Sequence, residues 1–280
     1  MKNINEGKGI SDVIKTDIEK IYNLYLLNSF STHAYNFEND KEGYRDIIIN
    51  FNKKNNYNSN ITIDKNSNIT MNIGIPINGK EKRIKENIAH ELTHIIEILG
   101  LGNKEYPKYN NIKNVLRKFE SFSKTKEMKF ICDVFYKTLD NEVNANVAQT
   151  YIYVYSDGRC SKIDALNRLN QWDTYKFYDN IKNIDLNILE QKLNKTEVEV
   201  FNILLEKNNV RTITFNDVKS WLKYWFKIFK RKSDIFLKNS ERILKEVEED
   251  WKKFESYANN EYIPKESDYS LYVKKYNNFR

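Results

Sequence analysis

Apolar residues at Ile14, Ile18, Ile21, Tyr22 and Tyr25 fall three and four positions apart, which predicts a helix near residues 10–29. The period then shortens. Ile47-Ile48-Ile49-Asn50-Phe51 reads as a strand, and Ile61–Asp64 and Asn68–Ile77 read as two more, joined as a hairpin through Lys65-Asn66-Ser67. Gly74 and Pro76 place the end of the second hairpin strand at a sheet edge or bulge. Asn78-Gly79 is a turn signal, and the polar run Lys80-Glu81-Lys82-Arg83 can open a helix. Ile84, Ile88, Leu92, Ile95, Ile96 and Leu99 continue it at helical spacing, with Gly100 and Gly102 placed as left-handed caps. Beyond it the pattern is helical over about 108–138, 139–155, 161–180 and 196–208.

The last third carries one long amphipathic pattern, from Asn216 to about Ala258. Leu222, Trp225, Phe229, Phe236, Ile243, Val247, Trp251 and Phe254 lie near one face. Its first half is basic (Lys219, Lys223, Lys227, Lys230, Arg231, Lys232, Lys238) and its second half is acid-rich (Glu241, Glu246, Glu248, Glu249, Asp250). A membrane surface or a protein partner fits such a stripe, but packing onto its own domain is the commoner use. The tail, Tyr262 to Arg280, is polar and aromatic, and with the long helix it forms a candidate surface for a protein partner.

Composition sets outer bounds. With 280 residues, 40% of them hydrophobic, the chain can bury a sizeable core in one large domain or two modest ones. Eight glycines and three prolines argue against long flexible linkers. A net charge of +7 permits contact with nucleic acid, but the lysines are spread along the chain and no nucleic-acid motif is present, so no specific nucleic-acid partner is expected. Two cysteines, Cys132 and Cys160, are too few for a disulfide-stapled module and are not spaced as metal ligands; reduced thiols are the default. No cleavable signal and no apolar run long enough to span a bilayer is visible, so a soluble protein is expected, cytoplasmic or virion-associated.

Chemistry is concentrated at residues 90–94. His90-Glu91-Leu92-Thr93-His94 contains two of the three histidines in the chain and sits in the middle of a predicted helix. His90 and His94 lie one turn apart on one face, so both imidazoles can reach one metal ion. Glu91, rotated by about 100°, can meet a metal-bound water without being a ligand. Two histidines spaced by four on a solvated helix are the bland alternative. A catalytic zinc site usually has three protein ligands and an exchangeable water, so a third ligand is required. Gly100 stands where a third histidine of the metzincin pattern would fall. His33, in the polar, turn-like stretch Ser31-Thr32-His33-Ala34-Tyr35, reads as a surface residue. The better candidate is a carboxylate on a second helix, within Leu139-Asp140-Asn141-Glu142-Val143-Asn144-Ala145-Asn146-Val147-Ala148. Ala145 and Ala148 would let that helix approach the first closely, and Glu142 is otherwise ill-suited to a partly buried helix. Glu97, one turn past His94, is either a hydrogen-bond partner for a ligand or part of a solvated face.

His90-Glu91-Leu92-Thr93-His94 followed by Asn141-Glu142-Val143-Asn144-Ala145-Asn146 resembles the zincin metallopeptidases of the gluzincin type. The long gap between the two helices is more like the anthrax lethal factor group and some clostridial peptidases than like thermolysin. The resemblance implies Zn²⁺ held by His90, His94 and Glu142, with Glu91 as general base. Tyr136, six residues before Glu142, stands at a distance comparable to that of the tyrosine which donates to the oxyanion in that group. Asn146 departs from the pattern, where an acidic residue more often supports a ligand. In zincins an edge strand above the active-site helix pairs with extended substrate, and residues 69–75 are the candidate here.

The fold expected is therefore α+β and zincin-like: a small, mostly antiparallel sheet and an active-site helix, then a largely helical C-terminal part. The expected domains are 1–190, the metallopeptidase, and 191–280, a helical extension. The function expected is hydrolysis of peptide bonds in a peptide or protein substrate. The rival from another class is a structural or assembly protein, for instance a virion component, that keeps a zincin-like fold as scaffold. A weaker third is a binding module in which zinc only ties two helices together.

Overall fold

Ile47, Ile49 and Phe51 are buried and alternate with more exposed neighbours, Ile69, Met71 and Ile73 are buried with half-buried Thr70 and Asn72 between them, and these two strands form the middle of the sheet. The computed structural model describes residues 12–39, 43–101, 106–155, 158–210 and 213–258. Its elements run α1 (Asp12–Leu27), β1 (Thr32–Asn39), β2 (Gly43–Lys53), β3 (Asn60–Ile63), β4 (Ile69–Ile75), α2 (Glu81–Leu101) and α3 (Tyr106–Phe122). There follow α4 (Lys126–Lys137), α5 (Asp140–Tyr155), α6 (Lys162–Gln171), α7 (Asp173–Lys182), α8 (Leu186–Lys192), α9 (Lys195–Lys207) and α10 (Val218–Ala258). The architecture is α+β, a four-stranded mixed sheet followed by a largely helical C-terminal part.

The sheet order is β1-β2-β4-β3, with β1–β2 and β3–β4 antiparallel and β2–β4 parallel. The β3–β4 hairpin is as expected. Asp64 holds its turn by accepting from the backbone N–H groups of Asn66 and Asn68, and Ser67 takes the left-handed conformation. Strand β4, however, is interior. Residues 70–75 pair with β2 and residues 69–72 pair with β3, so β4 is not the edge strand expected; β3 is the outer strand on that side. The stretch around His33 is not a turn but strand β1, with His33, Tyr35 and Phe37 on its more buried face.

Helices α1 and α2 cover one face of this sheet. Ile18, Ile21 and Tyr22 from α1 and Ile84, Ile88, Leu92 and Ile95 from α2 bury against Ile47, Ile49, Met71 and Ile73. A second hydrophobic core joins α3 to α10 and takes residues from both sides of position 190, among them Phe135, Tyr178, Phe201, Trp221, Phe229 and Phe236. Helix α10 spans 41 residues, about 60 Å, and its apolar stripe packs onto this core. Leu222, Trp225, Phe229, Phe236, Ile243 and Val247 are all buried, whereas Trp251 and Phe254 near its end are not. The tail from residue 259 lies outside the described residues.

Two helices expected to be continuous are broken. The pattern over 108–138 divides into α3 and α4 because Glu197, from α9, accepts from Ser123 Oγ (2.5 Å), the Lys124 N–H (3.0 Å) and Thr125 Oγ1 (2.9 Å). Thr125 then caps α4 by accepting from the Met128 N–H. The pattern over 161–180 divides at Trp172, whose ring is buried against Tyr153. Helix α8 is an addition to the expected set. Cys132 and Cys160 are both buried and unbonded to each other.

Helix α5 links the two cores. Ala148 packs with the sheet side, while Val143 and Val154 pack with the helical side. Ala145 and Ala148 are fully or nearly fully buried, and α5 makes with α2 the most extensive helix–helix contact among the described residues. Small side chains there let the two backbones come close.

Candidate metal centre

The α2 stripe that buries Ile88, Leu92, Ile95 and Leu99 rotates His90 and His94 toward α5. On α5 the positions Glu142, Asn146 and Thr150, spaced by four, form a buried polar stripe beside the buried Val143, Ala145 and Ala148. Where the two stripes meet, the Nε2 atoms of His90 and His94 stand 3.1 Å apart with their rings nearly perpendicular. The Glu142 carboxylate faces both imidazoles: Oε2 lies 3.4 Å from His90 Nε2 and Oε1 lies 3.7 Å from His94 Nε2. The three residues offer ligand atoms within 4.8 Å of one another, and the group can hold a metal ion.

The geometry was tested against zinc. Zinc bonds to imidazole nitrogen and carboxylate oxygen at about 2.0–2.2 Å, so a tetrahedral site separates its ligand atoms by about 3.3–3.6 Å. The two nitrogens, 3.1 Å apart, and the separations of 3.4 Å from His90 to Oε2 and 3.7 Å from His94 to Oε1 lie close to that range, each imidazole facing a different oxygen of the carboxylate. Two nitrogens and one oxygen are also the donor set of borderline-soft divalent ions. The surroundings of the ligands are less complete. His90 Nδ1 is buried and has no hydrogen-bond partner among the described residues, so packing rather than an acceptor fixes that ring.

The charges respond to this closeness. Burial by itself would raise the Glu142 carboxyl, but the contacts to His90, His94 and Lys113 outweigh it and hold it down at about 2. His90 moves the other way: burial opposes its charge, and Glu142 more than offsets that and raises it. The contact favours the imidazolium–carboxylate form of the pair, so metal binding at His90 competes with a proton.

Glu91 is buried and lines a polar cavity of about 170 Å³ that also reaches His90, Tyr136, Asn87, Gln149, Lys113 and Arg117. The cavity's far wall is the segment before β3: Tyr57, Asn58 and Ser59. Tyr136, on α4, enters the same cavity. Burial first, then the charge of Glu142, pushes its hydroxyl well above the usual tyrosine range, so it remains a proton donor at neutral pH. Two cations of α3 sit over its ring, Lys113 Nζ at 5.2 Å and Arg117 Cζ at 5.7 Å from the centroid. Sequence reasoning missed both. Their only signal is position: they flank Ile112 and Leu116 of the buried α3 stripe, one helical turn apart.

The remaining candidates separate clearly. His33 is on β1, where its Nε2 lies 2.6 Å from Ser31 Oγ and its ring packs on Phe51; it is not part of the cluster. Glu97 is neither solvated nor a ligand. It accepts from Asn144 Nδ2 at 2.7 Å, and its other oxygen is 3.7 Å from His94 Nδ1, beyond hydrogen-bond reach. Asn146 does not support a ligand. Its amide donates to Tyr178 Oη at 3.0 Å, and that hydroxyl donates to the Lys137 carbonyl at 2.5 Å. These bonds tie α5 to α7 and to the end of α4, one turn beyond Glu142.

Comparison with protein-family profiles, curated proteins and solved structures finds no match. No helix among the described residues is long and apolar enough to cross a membrane.

Proposed function

We propose that this chain is a zinc-dependent peptidase of the zincin type, with His90, His94 and Glu142 as the metal ligands. The observation that carries the reading is the convergence of these three side chains beside a cavity that also holds Glu91 and Tyr136. A zinc ion there would supply Lewis acidity toward a carbonyl and a water whose pKa falls to about 7. Glu91, adjacent in sequence to one ligand yet free of the cluster, takes the proton of the attacking water and returns it to the leaving amine. The raised Tyr136 hydroxyl keeps its proton and donates to the oxyanion as the carbonyl becomes tetrahedral. The polar walls of Asn58, Ser59, Asn87 and Gln149 suit the amide groups of a peptide main chain.

Cleavage of a peptide library, with zinc content determined on the same samples, tests this. Glu91→Gln should keep zinc and lose cleavage. Tyr136→Phe should retain activity lowered by about 100- to 1,000-fold, the usual cost of one oxyanion donor. Wild-type rates in Tyr136→Phe would remove that residue from the mechanism. Stoichiometric zinc without any cleavage would favour a scaffold that keeps the site as a structural tie, and absence of zinc would overturn both.

A further inference from the structure

The cavity beside the histidine pair is unevenly charged. Among its lining residues Lys113 and Arg117 carry positive charge and Glu91 alone carries negative charge. Among the described residues Lys113 has one acidic neighbour, Glu142 at 3.8 Å, and that carboxylate is shared with both imidazoles. Arg117 has no acidic partner within salt-bridge distance among the described residues; only the Tyr136 ring lies beneath its guanidinium. Like charges one turn apart on a helix repel, so this arrangement costs stability unless an anion enters between them. A divalent metal on the Glu142 side would deepen the positive surplus.

We propose that Lys113 and Arg117 form a carboxylate-binding subsite, so that the substrate is a peptide presenting a carboxylate close to the scissile bond. The scissile bond belongs to the peptidase reading above, whereas the capture of a carboxylate does not depend on it. Arg117 supplies the planar donor fork that pairs with a carboxylate, and Lys113 supplies a point charge deeper in the cavity, its side chain only 23% exposed. Asn87 is held by its own bond to the Tyr57 carbonyl, 2.7 Å, and lines the same wall. The carboxylate can come from a chain's C-terminus or from an aspartate or glutamate side chain; the chemistry of capture is the same.

The experiment is equilibrium binding to zinc-loaded Glu91→Gln protein, which prevents turnover. The probes are N-acetylated alanine hexapeptides: one ending in an amide, one ending in a free acid, and amides with a single glutamate at each position in turn. A carboxylate-bearing probe should bind about 10- to 100-fold more tightly than the all-alanine amide, the range expected for hydrogen bonds to a charged group. Preference for the free acid identifies a C-terminal carboxylate; preference for one glutamate position identifies a side chain. Adding Arg117→Gln or Lys113→Gln should bring the ratio toward one. Lys118→Gln, on the exposed side of α3, should leave it intact. Zinc is measured on every sample, and Arg117→Gln decides the matter where Lys113→Gln loses metal. Equal binding of all probes, or a ratio that survives the double variant, overturns the subsite. Selective carboxylate binding by a wild type that cleaves none of these peptides refutes the peptidase reading and leaves the subsite standing. Cleavage with no carboxylate preference does the reverse.

Discussion

Glu142→Gln removes the proposed third ligand without opening a cavity, because the amide has nearly the volume of the carboxylate it replaces. The side chain is 3% exposed, so the change acts on the cluster and not on solvent-facing charge. Zinc binding to small four-ligand sites is worth about 10–16 kcal/mol, roughly 2.5–4 kcal/mol per ligand. Loss of Glu142 should therefore weaken zinc binding by about 100- to 1,000-fold. Glu97→Gln is the matched control. Glu97 bonds Asn144 and stops 3.7 Å short of His94 Nδ1, so it shapes the surroundings of a ligand without bonding it. Its replacement should cost at most about tenfold, the lower end for groups outside the ligand set. Competition with a chromophoric chelator at neutral pH measures both, with circular dichroism to establish that the variants are folded. Glu142→Gln holding zinc within about threefold of wild type would refute the assignment of the third ligand. Equal losses in both variants would refute the distinction between ligand and neighbour.

Three further outcomes follow from the structure. Glu197→Ala deletes the acceptor for Ser123, Lys124 and Thr125 at the α3–α4 break, and urea denaturation should show a loss of about 1–3 kcal/mol with no change in zinc affinity. Glu142, held at about 2 against 4.5 when unfolded, contributes stability that is present above pH 4.5 and lost as pH falls toward 2. Acid titration of the metal-free protein should show this loss, and Glu142→Gln should flatten it. Gly74→Ala would bring a Cβ to 2.2 Å from the Asn58 carbonyl oxygen, so the cavity wall must shift. Denaturation should report a cost of about 1–3 kcal/mol and peptide binding should weaken, whereas unchanged values would show that this wall yields freely.

The sequence alone determined what depends on short range. The spacing of Ile84, Ile88, Leu92 and Ile95 produces α2 as helix, and a helix necessarily puts His90 and His94 on one face with Glu91 turned away. The β3–β4 hairpin was legible for the same reason: Asp64 organises a turn within five residues of chain. The stripe from Leu222 to Val247 likewise announced a face that had to be buried. Strand β1 is harder to read: His33, Tyr35 and Phe37 alternate, but only Tyr35 and Phe37 are apolar, and Ala34 between the first two blurs the period. Other features had no local cause. Glu197 breaks the helical pattern at Ser123 from more than seventy residues away. The interior position of β4 follows from its parallel pairing with β2, which no pattern within residues 69–75 encodes. Glu142 could be suspected from its discordant charge on a buried helix, but only the docking of α5 on α2 aims it at the histidines. Lys113 and Arg117 look like ordinary cations beside an apolar stripe until α3 packs on α4 and turns them over Tyr136. Backbone periodicity is set by neighbours in sequence, whereas the charge and shape of a site are set by which faces meet in space.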